Sequence, residues 1–196
     1  NPRIMTSTEA LNLDDIPKTL LVVGGGYIGM ELGSVYASLG SDVSVVEALP
    51  ELLAGADSDL VRVFQKHVSQ KMSSIYTSYS VKKMATKGKK ISVEMSKDDE
   101  SKIEEFDKVL ISVGRVPNSN DLGLENTNVK IDDKGFIIID ESCETTNANI
   151  YAIGDVAGGI QLAHKATKEA KIASSKILNE VSTTLKDYVI PAVVFT

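Results

Sequence analysis

Between Thr19 and Glu47 the chain is constrained more tightly than anywhere else. Leu20, Leu21, Val22 and Val23 form a continuous apolar run, the pattern of a parallel strand covered on both faces, and it ends in Gly24-Gly25-Gly26-Tyr27-Ile28-Gly29. Ile28, Leu32, Val35 and Leu39 follow at i, i+4, i+7 and i+11, which predicts a helix with that stripe as its apolar side, stopping at Gly40. Val43, Val45 and Val46 then make a second β-branched run ending at Glu47. Strand, glycine turn, helix and strand in this order form a βαβ unit with a right-handed crossover, the opening of a Rossmann-type sheet.

Each glycine has its own reason. Gly24 takes the tight turn, Gly26 lets the backbone approach a pyrophosphate, and Gly29 with Gly33 allows the helix to lie close on the sheet. The pyrophosphate is expected at the helix N-terminus, where free N–H groups and the positive dipole end favour an anion. Glu47, 23 residues after Gly24, is placed to accept hydrogen bonds from both hydroxyls of an adenosine ribose. The same carboxylate would repel a 2′-phosphate, and Ala48 to Leu53 supply no Arg or Lys to hold one, so NAD is expected over NADP. An isolated glycine pattern of this kind is often a plain turn; the flanking strand and helix, Gly33 and Glu47 favour the nucleotide.

Further along, Asp57 or Ser58 is placed to cap a helix with Leu60, Phe64 and Val68 on its apolar side. Ile75 to Met84 reads as a strand, with a hairpin partner at Lys90 to Met95 across a turn at Thr86-Lys87-Gly88. The nearby Lys82, Lys83, Lys87, Lys89 and Lys90 read as solvated hairpin charge. Lys97 to Glu105 is highly charged and is expected to be a loop, and Val109 to Val113 a buried strand ending at Gly114. The turn-rich stretch from Arg115 to Gly123 places a domain boundary near Val116. Strands at Phe136–Ile139 and Ile150–Ile153 and a helix with Ala166, Ala170, Ala173 and Ile177 on one face follow. Val189, Ile190, Val193, Val194 and Phe195 open a strongly apolar segment.

The net charge of −6 argues against binding nucleic acid or an anionic membrane. The chain has no apolar run of roughly 18 residues and no secretory pattern in its opening residues, so the cytoplasm is expected, or the mitochondrial matrix in a eukaryote. Cys143 is the sole cysteine, flanked by Glu141, Ser142 and Glu144; no intrachain disulfide is possible and a spectator thiol is expected. No metal site is expected.

The run Val22 to Tyr36, continued through Val45-Val46-Glu47, closely resembles the NAD-binding helix of the dihydrolipoamide dehydrogenase family of FAD-dependent disulfide reductases. Gly114-Arg115-Val116-Pro117-Asn118 resembles the signature that ends the NAD domain in that wider group, with its glycine against the dinucleotide. Thr146 to Val156, containing Ile150-Tyr151-Ala152-Ile153-Gly154-Asp155, resembles the group's second FAD motif, in which the aspartate hydrogen-bonds the ribityl chain. Gln161-Leu162-Ala163-His164-Lys165-Ala166 is similar to the start of the next helix, whose N-terminus faces the flavin.

The resemblance implies an α/β fold: a Rossmann-like NAD-binding domain with a three-layer parallel sheet and an inserted β-meander or hairpin, plus part of the FAD-binding (central) domain. It implies an inter-domain crossing segment at 1–15, the NAD-binding domain at 16–115, a partial FAD-binding domain at 116–188 and the start of a truncated dimerisation domain at 189–196. The implied NAD residues are Gly24, Gly25, Gly26, Tyr27, Ile28, Gly29, Met30, Glu31, Glu47, Val81 and Gly114. Tyr27 and Ile28 match positions near the flavin–nicotinamide stack, and Val81 a position on the adenine side. Glu31 matches a glutamate that pairs with a lysine beside the redox disulfide, a supporting role. For FAD the implied residues are Asp155, Gln161, Leu162, Ala163 and His164, the last as a wall of the flavin site and not a base.

The first FAD glycine motif, the C-x-x-x-x-C redox pair and the family's C-terminal histidine have no counterpart in the sequence, and Asn1-Pro2 is not expected as a native start. The resemblance therefore implies a central fragment, with no catalytic residue of its own, of a homodimeric enzyme serving a 2-oxo acid dehydrogenase complex. Such an enzyme passes electrons from dihydrolipoamide through a disulfide and FAD to NAD⁺. The fragment alone is expected to bind NAD weakly, not to retain FAD and to be inactive. Two alternatives stay open: another flavin disulfide reductase of the mercuric, glutathione or trypanothione kind, and a non-catalytic dinucleotide-binding module.

Overall fold

The computed structural model describes residues 1–180 and 184–195, which form two compact units: Asn1–Gly114 with the end of the chain from Val194, and Arg115–Val193. Among the described residues of the first unit eight strands run in chain order: β1 (Ile4–Met5), β2 (Thr19–Val23), β3 (Asp42–Glu47), β4 (Ser74–Thr77), β5 (Ser80–Lys87), β6 (Lys90–Lys97), β7 (Glu100–Phe106) and β8 (Lys108–Ile111). Five make a parallel sheet in the order β1-β8-β2-β3-β4, and β5-β6-β7 form an antiparallel meander. The βαβ expectation holds, with Leu20 opposite Val43 and Val22 opposite Val45.

The unit has three layers, because the parallel strands are apolar on both faces. Leu20, Val22, Val43, Val45 and Leu110 face the helices α1 (Ser7–Asn12), α2 (Tyr27–Ser38) and α3 (Ser58–Val68) through Ala10, Met30, Tyr36 and Val68. Leu21, Val23, Val46 and Val109 face the meander through Ile91, Val93, Met95 and Phe106. Residues 1–15, expected as a crossing segment, supply β1 and α1 to this unit, and the buried Tyr36 hydroxyl donates to the Ala10 carbonyl at 2.9 Å, tying α1 to α2.

Several local expectations are corrected. The buried side of α2 is Gly29, Met30, Gly33 and Tyr36, whereas Val35 and Leu39 are exposed. The two glycines bring the helix backbone so near the sheet that the bulky stripe turns outward. On α3, Val61 and Val68 are buried while Leu60 is exposed. Ile75 to Met84 is not one strand: Ser78, at φ 61°, breaks it into β4 and β5, which belong to different sheets. Lys97 to Glu105 is not a loop but contains most of β7, paired with β6 along its length. Its charged side chains meet two tyrosines: Glu104 accepts the Tyr76 hydroxyl at 2.6 Å, the exposed Glu100 accepts that of Tyr79 at 2.7 Å, and the Lys102 ammonium lies over both rings.

The second unit carries the long helix α4 (Ala163–Ile177) and short 3-10 turns at Leu124–Asn126, Gly154–Ala157 and Leu185–Asp187. The strands expected at Phe136–Ile139 and Ile150–Ile153 are reduced to isolated bridges, Ile131 with Ile137, Ile139 with Thr145 and Glu144 with Tyr151. On α4 the buried residues are Lys165, Glu169, Ile172 and Ala173, while Ile177 is exposed. The apolar segment from Val189 contains no helix or strand among its described residues, and Thr196, the last residue of the expected dimerisation segment, lies outside them, as do residues 181–183 within the expected FAD-binding part. Among the described residues no helix is long and apolar enough to cross a membrane.

Candidate dinucleotide and flavin sites

The glycine turn grows directly out of β2. The Gly24 N–H donates to the Val46 carbonyl at 2.8 Å, and the chain then bends at φ 103°, a left-handed value that favours glycine. A Cβ on Gly24 would meet the Ser112 carbonyl oxygen at 2.5 Å, and one on Gly29 would meet the Gly24 carbonyl oxygen at 2.1 Å. These two glycines are required by close backbone approach. Gly26 differs: a Cβ there would meet nothing within 4 Å, so its small size leaves room beside the helix start.

Gly26 is also the N-cap of α2 and brings no side-chain hydrogen bond. The first-turn N–H groups thus receive no side-chain acceptor from their cap, and the turn presents backbone donors beside open space. Glu47, at the end of β3, reaches back to this turn: Oε2 accepts the Gly25 N–H at 2.6 Å and Oε1 accepts the Leu49 N–H at 2.7 Å. Each carboxylate oxygen keeps a second acceptor direction for a hydroxyl donor.

The remaining NAD residues are placed unevenly. Tyr27 and Ile28 are half-buried at the start of α2. Met30 is fully buried in the core, and its N–H donates to the Gly26 carbonyl at 3.0 Å, so it brings neither side chain nor donor to the space beside the turn. Glu31 is half-buried, and its Oε1 accepts the Phe195 N–H at 2.7 Å. Val81 packs from β5 against the core between the sheets, and Gly114 is exposed at φ 145°. Two residues that sequence reading missed shape the turn. The Ser112 hydroxyl lies 3.0 Å from the Val23 carbonyl oxygen and 3.1 Å from that of Gly24, and the buried Leu52 side chain would be 2.4 Å from a Cβ on Gly25.

In the second unit, Asp155 sits in the Gly154–Ala157 turn, and its Oδ2 accepts from the Arg115 guanidinium at 2.5 Å. The Gln161 Nε2 is buried and has no hydrogen-bond partner among the described residues, a donor in want of an acceptor. Leu162, the N-cap of α4, brings no side-chain hydrogen bond, and Ala163 and His164 follow it, exposed. His164 Nε2 lies 2.8 Å from the Pro191 carbonyl, to which it donates in the Nε2–H tautomer. An orphaned amide donor beside an uncapped 15-residue helix fits a flavin ring edge bearing acceptors. Sequence reading also missed that Lys165 and Glu169 pair within the core at 2.8 Å, because their i,i+4 spacing is equally that of a solvated surface pair.

A family model for pyridine nucleotide-disulphide oxidoreductases matches residues 1–170. The chain belongs to that family. Within it, the dihydrolipoyl dehydrogenase of Geobacillus stearothermophilus is 41% identical over 195 residues, covering 99% of this chain and 41% of that protein. The dihydrolipoyl dehydrogenase of Haemophilus influenzae is 38% identical over 200 residues, covering 100% of this chain and 41% of that protein. Among solved structures, LpdA from Mycobacterium tuberculosis superposes with a TM-score of 0.88 at 28% identity, over 98% of this chain and 41% of that one. The copper complex of the flavoprotein disulfide reductase RclA from Escherichia coli does so at 0.86 and 29%, over 96% and 43%. This family member thus spans about two fifths of the length of the curated relatives it matches, and its Rossmann-like parallel sheet with an antiparallel meander is the fold of FAD-dependent disulfide reductases.

Proposed function

We propose that this chain is the nicotinamide-nucleotide portion and second flavin-contacting portion of a dihydrolipoyl dehydrogenase, a homodimeric enzyme that oxidises dihydrolipoamide in a 2-oxo acid dehydrogenase complex and reduces NAD⁺. The observation that carries the reading is the Gly24–Gly29 turn at the uncapped start of α2, braced by Glu47. The N–H groups of that turn bind a pyrophosphate, and Glu47 accepts from the ribose hydroxyls. Its negative charge, with Glu51 close by in sequence and no Arg or Lys from Ala48 to Leu53, turns away a 2′-phosphate and favours NAD.

Bound FAD would supply a two-electron carrier between a dithiol and NAD⁺. Toward it, Asp155 offers a carboxylate to a ribityl hydroxyl, Gln161 offers its unpartnered amide donor, and the α4 start, including Leu162 and Ala163, favours negative charge on the ring edge. His164 walls the site. The sequence has no cysteine pair, since Cys143 stands alone, so the thiol chemistry belongs to other parts of the polypeptide.

The complete gene product should reduce NAD⁺ with dihydrolipoamide, prefer NAD⁺ to NADP⁺, and carry FAD. The 196-residue chain should bind NAD weakly and show no such turnover. Turnover by the chain alone, or a preference of the complete protein for NADP⁺, overturns the assignment.

A further inference from the structure

Lys165 and Glu169 lie one turn apart on α4 with only 8% and 1% of their surfaces exposed, and their charged ends do not face each other alone. The Lys165 ammonium donates to the Gly154 carbonyl at 3.2 Å and to the Gly158 carbonyl at 2.6 Å, the first residue of the Gly154–Ala157 turn and the residue that caps its far end. Glu169 Oε1 accepts from that ammonium at 2.8 Å, while Oε2 accepts the buried Gly154 N–H at 2.7 Å. Both backbone groups of Gly154 are therefore held by one ion pair. Gly154 has φ 77°, and a Cβ there would lie 3.3 Å from the Ala166 Cβ, so the turn is pressed onto α4 at the residue before Asp155.

A buried ion pair is a poor way to gain stability, since the desolvation of two charges offsets most of their attraction and apolar residues of similar size often serve as well. What this pair does that apolar residues cannot is fix three backbone polar groups of one turn in place. We infer that Lys165 and Glu169 are positioning residues: they clamp the Gly154–Ala157 turn so that Asp155 presents its carboxylate to the flavin in one orientation. The inference rests on the reading of Asp155 as a flavin contact. Neither side chain needs to touch the flavin, and both act through the turn.

The test uses the complete gene product with FAD bound, and variants Lys165→Met, Glu169→Gln, Asp155→Ala and Ile172→Ala. Ile172 is buried on the same helix and reports on stability alone. Three quantities are read: the rate of FAD release from flavin fluorescence, the melting temperature, and hydrogen exchange at the Gly154 amide. Lys165→Met and Glu169→Gln should each release FAD about tenfold faster, the effect of losing one charge-assisted hydrogen bond, and speed exchange at Gly154. Ile172→Ala should lower the melting temperature while leaving both other readings near wild type. Should Lys165→Met fail to fold, Glu169→Gln, whose neutral amide offers one weaker acceptor oxygen in place of two charged ones and so cannot hold both the Lys165 ammonium and the Gly154 N–H, gives the same reading. FAD release that follows melting temperature equally in all variants, or wild-type exchange at Gly154 in Glu169→Gln, overturns the clamp. Wild-type FAD retention in Asp155→Ala overturns the flavin contact instead, and leaves exchange at Gly154 to judge the clamp by itself.

Discussion

Glu47 Oε2 accepts the Gly25 N–H at 2.6 Å, so the carboxylate at the end of β3 braces the glycine turn at the end of β2. The residue read from sequence as a ligand contact is thus also part of the turn's own framework. Glu47→Ala should lower stability by about 1–3 kcal/mol, because two backbone donors lose a charged acceptor, and weaken NAD binding roughly tenfold or more. Urea unfolding and calorimetric titration with NAD check both. Unchanged stability would mean that water replaces the carboxylate at Gly25 and Leu49.

Gly26 and Gly29 should separate binding from folding. Gly26→Ala adds a Cβ into open space at a backbone conformation any residue adopts, φ −73° and ψ 179°, so stability should change by no more than about 1 kcal/mol. If the proposed function holds, its NAD affinity should fall by roughly tenfold or more, since the proposal puts the pyrophosphate in that space. Gly29→Ala drives a Cβ to 2.1 Å from a backbone oxygen and 2.6 Å from the Ser112 hydroxyl, and should cost about 3 kcal/mol or prevent folding. Thermal melts paired with NAD titrations distinguish the two.

Ser112→Ala removes a hydroxyl that lies against two carbonyls at the root of the turn. The expected loss is about 1 kcal/mol of stability with a modest fall in NAD affinity, read from the same experiments. A variant as stable as wild type would assign the hydroxyl no role in holding the turn.

Burial, and then the nearby Glu169 carboxylate, push the Cys143 thiol up to about 11 from an ordinary 9.0. The folded protein should therefore resist alkylation by iodoacetamide at neutral pH and become reactive only on unfolding. The folded state holds this proton more tightly than the unfolded one, so the thiol's contribution to stability is complete below pH 9.0 and declines as pH rises toward about 11. A Cys143→Ala variant should show a shallower alkaline loss across that window. Rapid labelling of the native protein at pH 7 would contradict the buried placement.

The βαβ unit was legible because three independent signals coincide there: apolar runs at Leu20–Val23 and Val43–Val46, glycines between them, and Glu47 at the right remove. Which side of α2 is buried was not legible. Hydrophobic periodicity weighs large side chains, whereas Gly29 and Gly33 contribute by having none. The meander's third strand was hidden for a related reason: β7 turns Lys102 and Glu104 inward against two tyrosines and leaves Ile103 exposed, inverting the alternation that reveals a strand. In the second unit the motif around Asp155 was readable by resemblance, but not its partner Arg115 nor the clamp beneath it. The first joins residues 40 apart in sequence, and the second shows only once the turn at Gly154 has folded back onto α4.

The sheet order β1-β8-β2-β3-β4 places the last strand made next to the first two. While the ribosome is still short of Lys108, β1 has no neighbour and β2 has one edge open, an edge that would template pairing with any other extended chain. At roughly 5–20 residues per second this exposure lasts for several seconds of synthesis. The four residues Lys108–Ile111 therefore act as a keystone, and cooperative folding of this unit has to await their emergence from the exit tunnel.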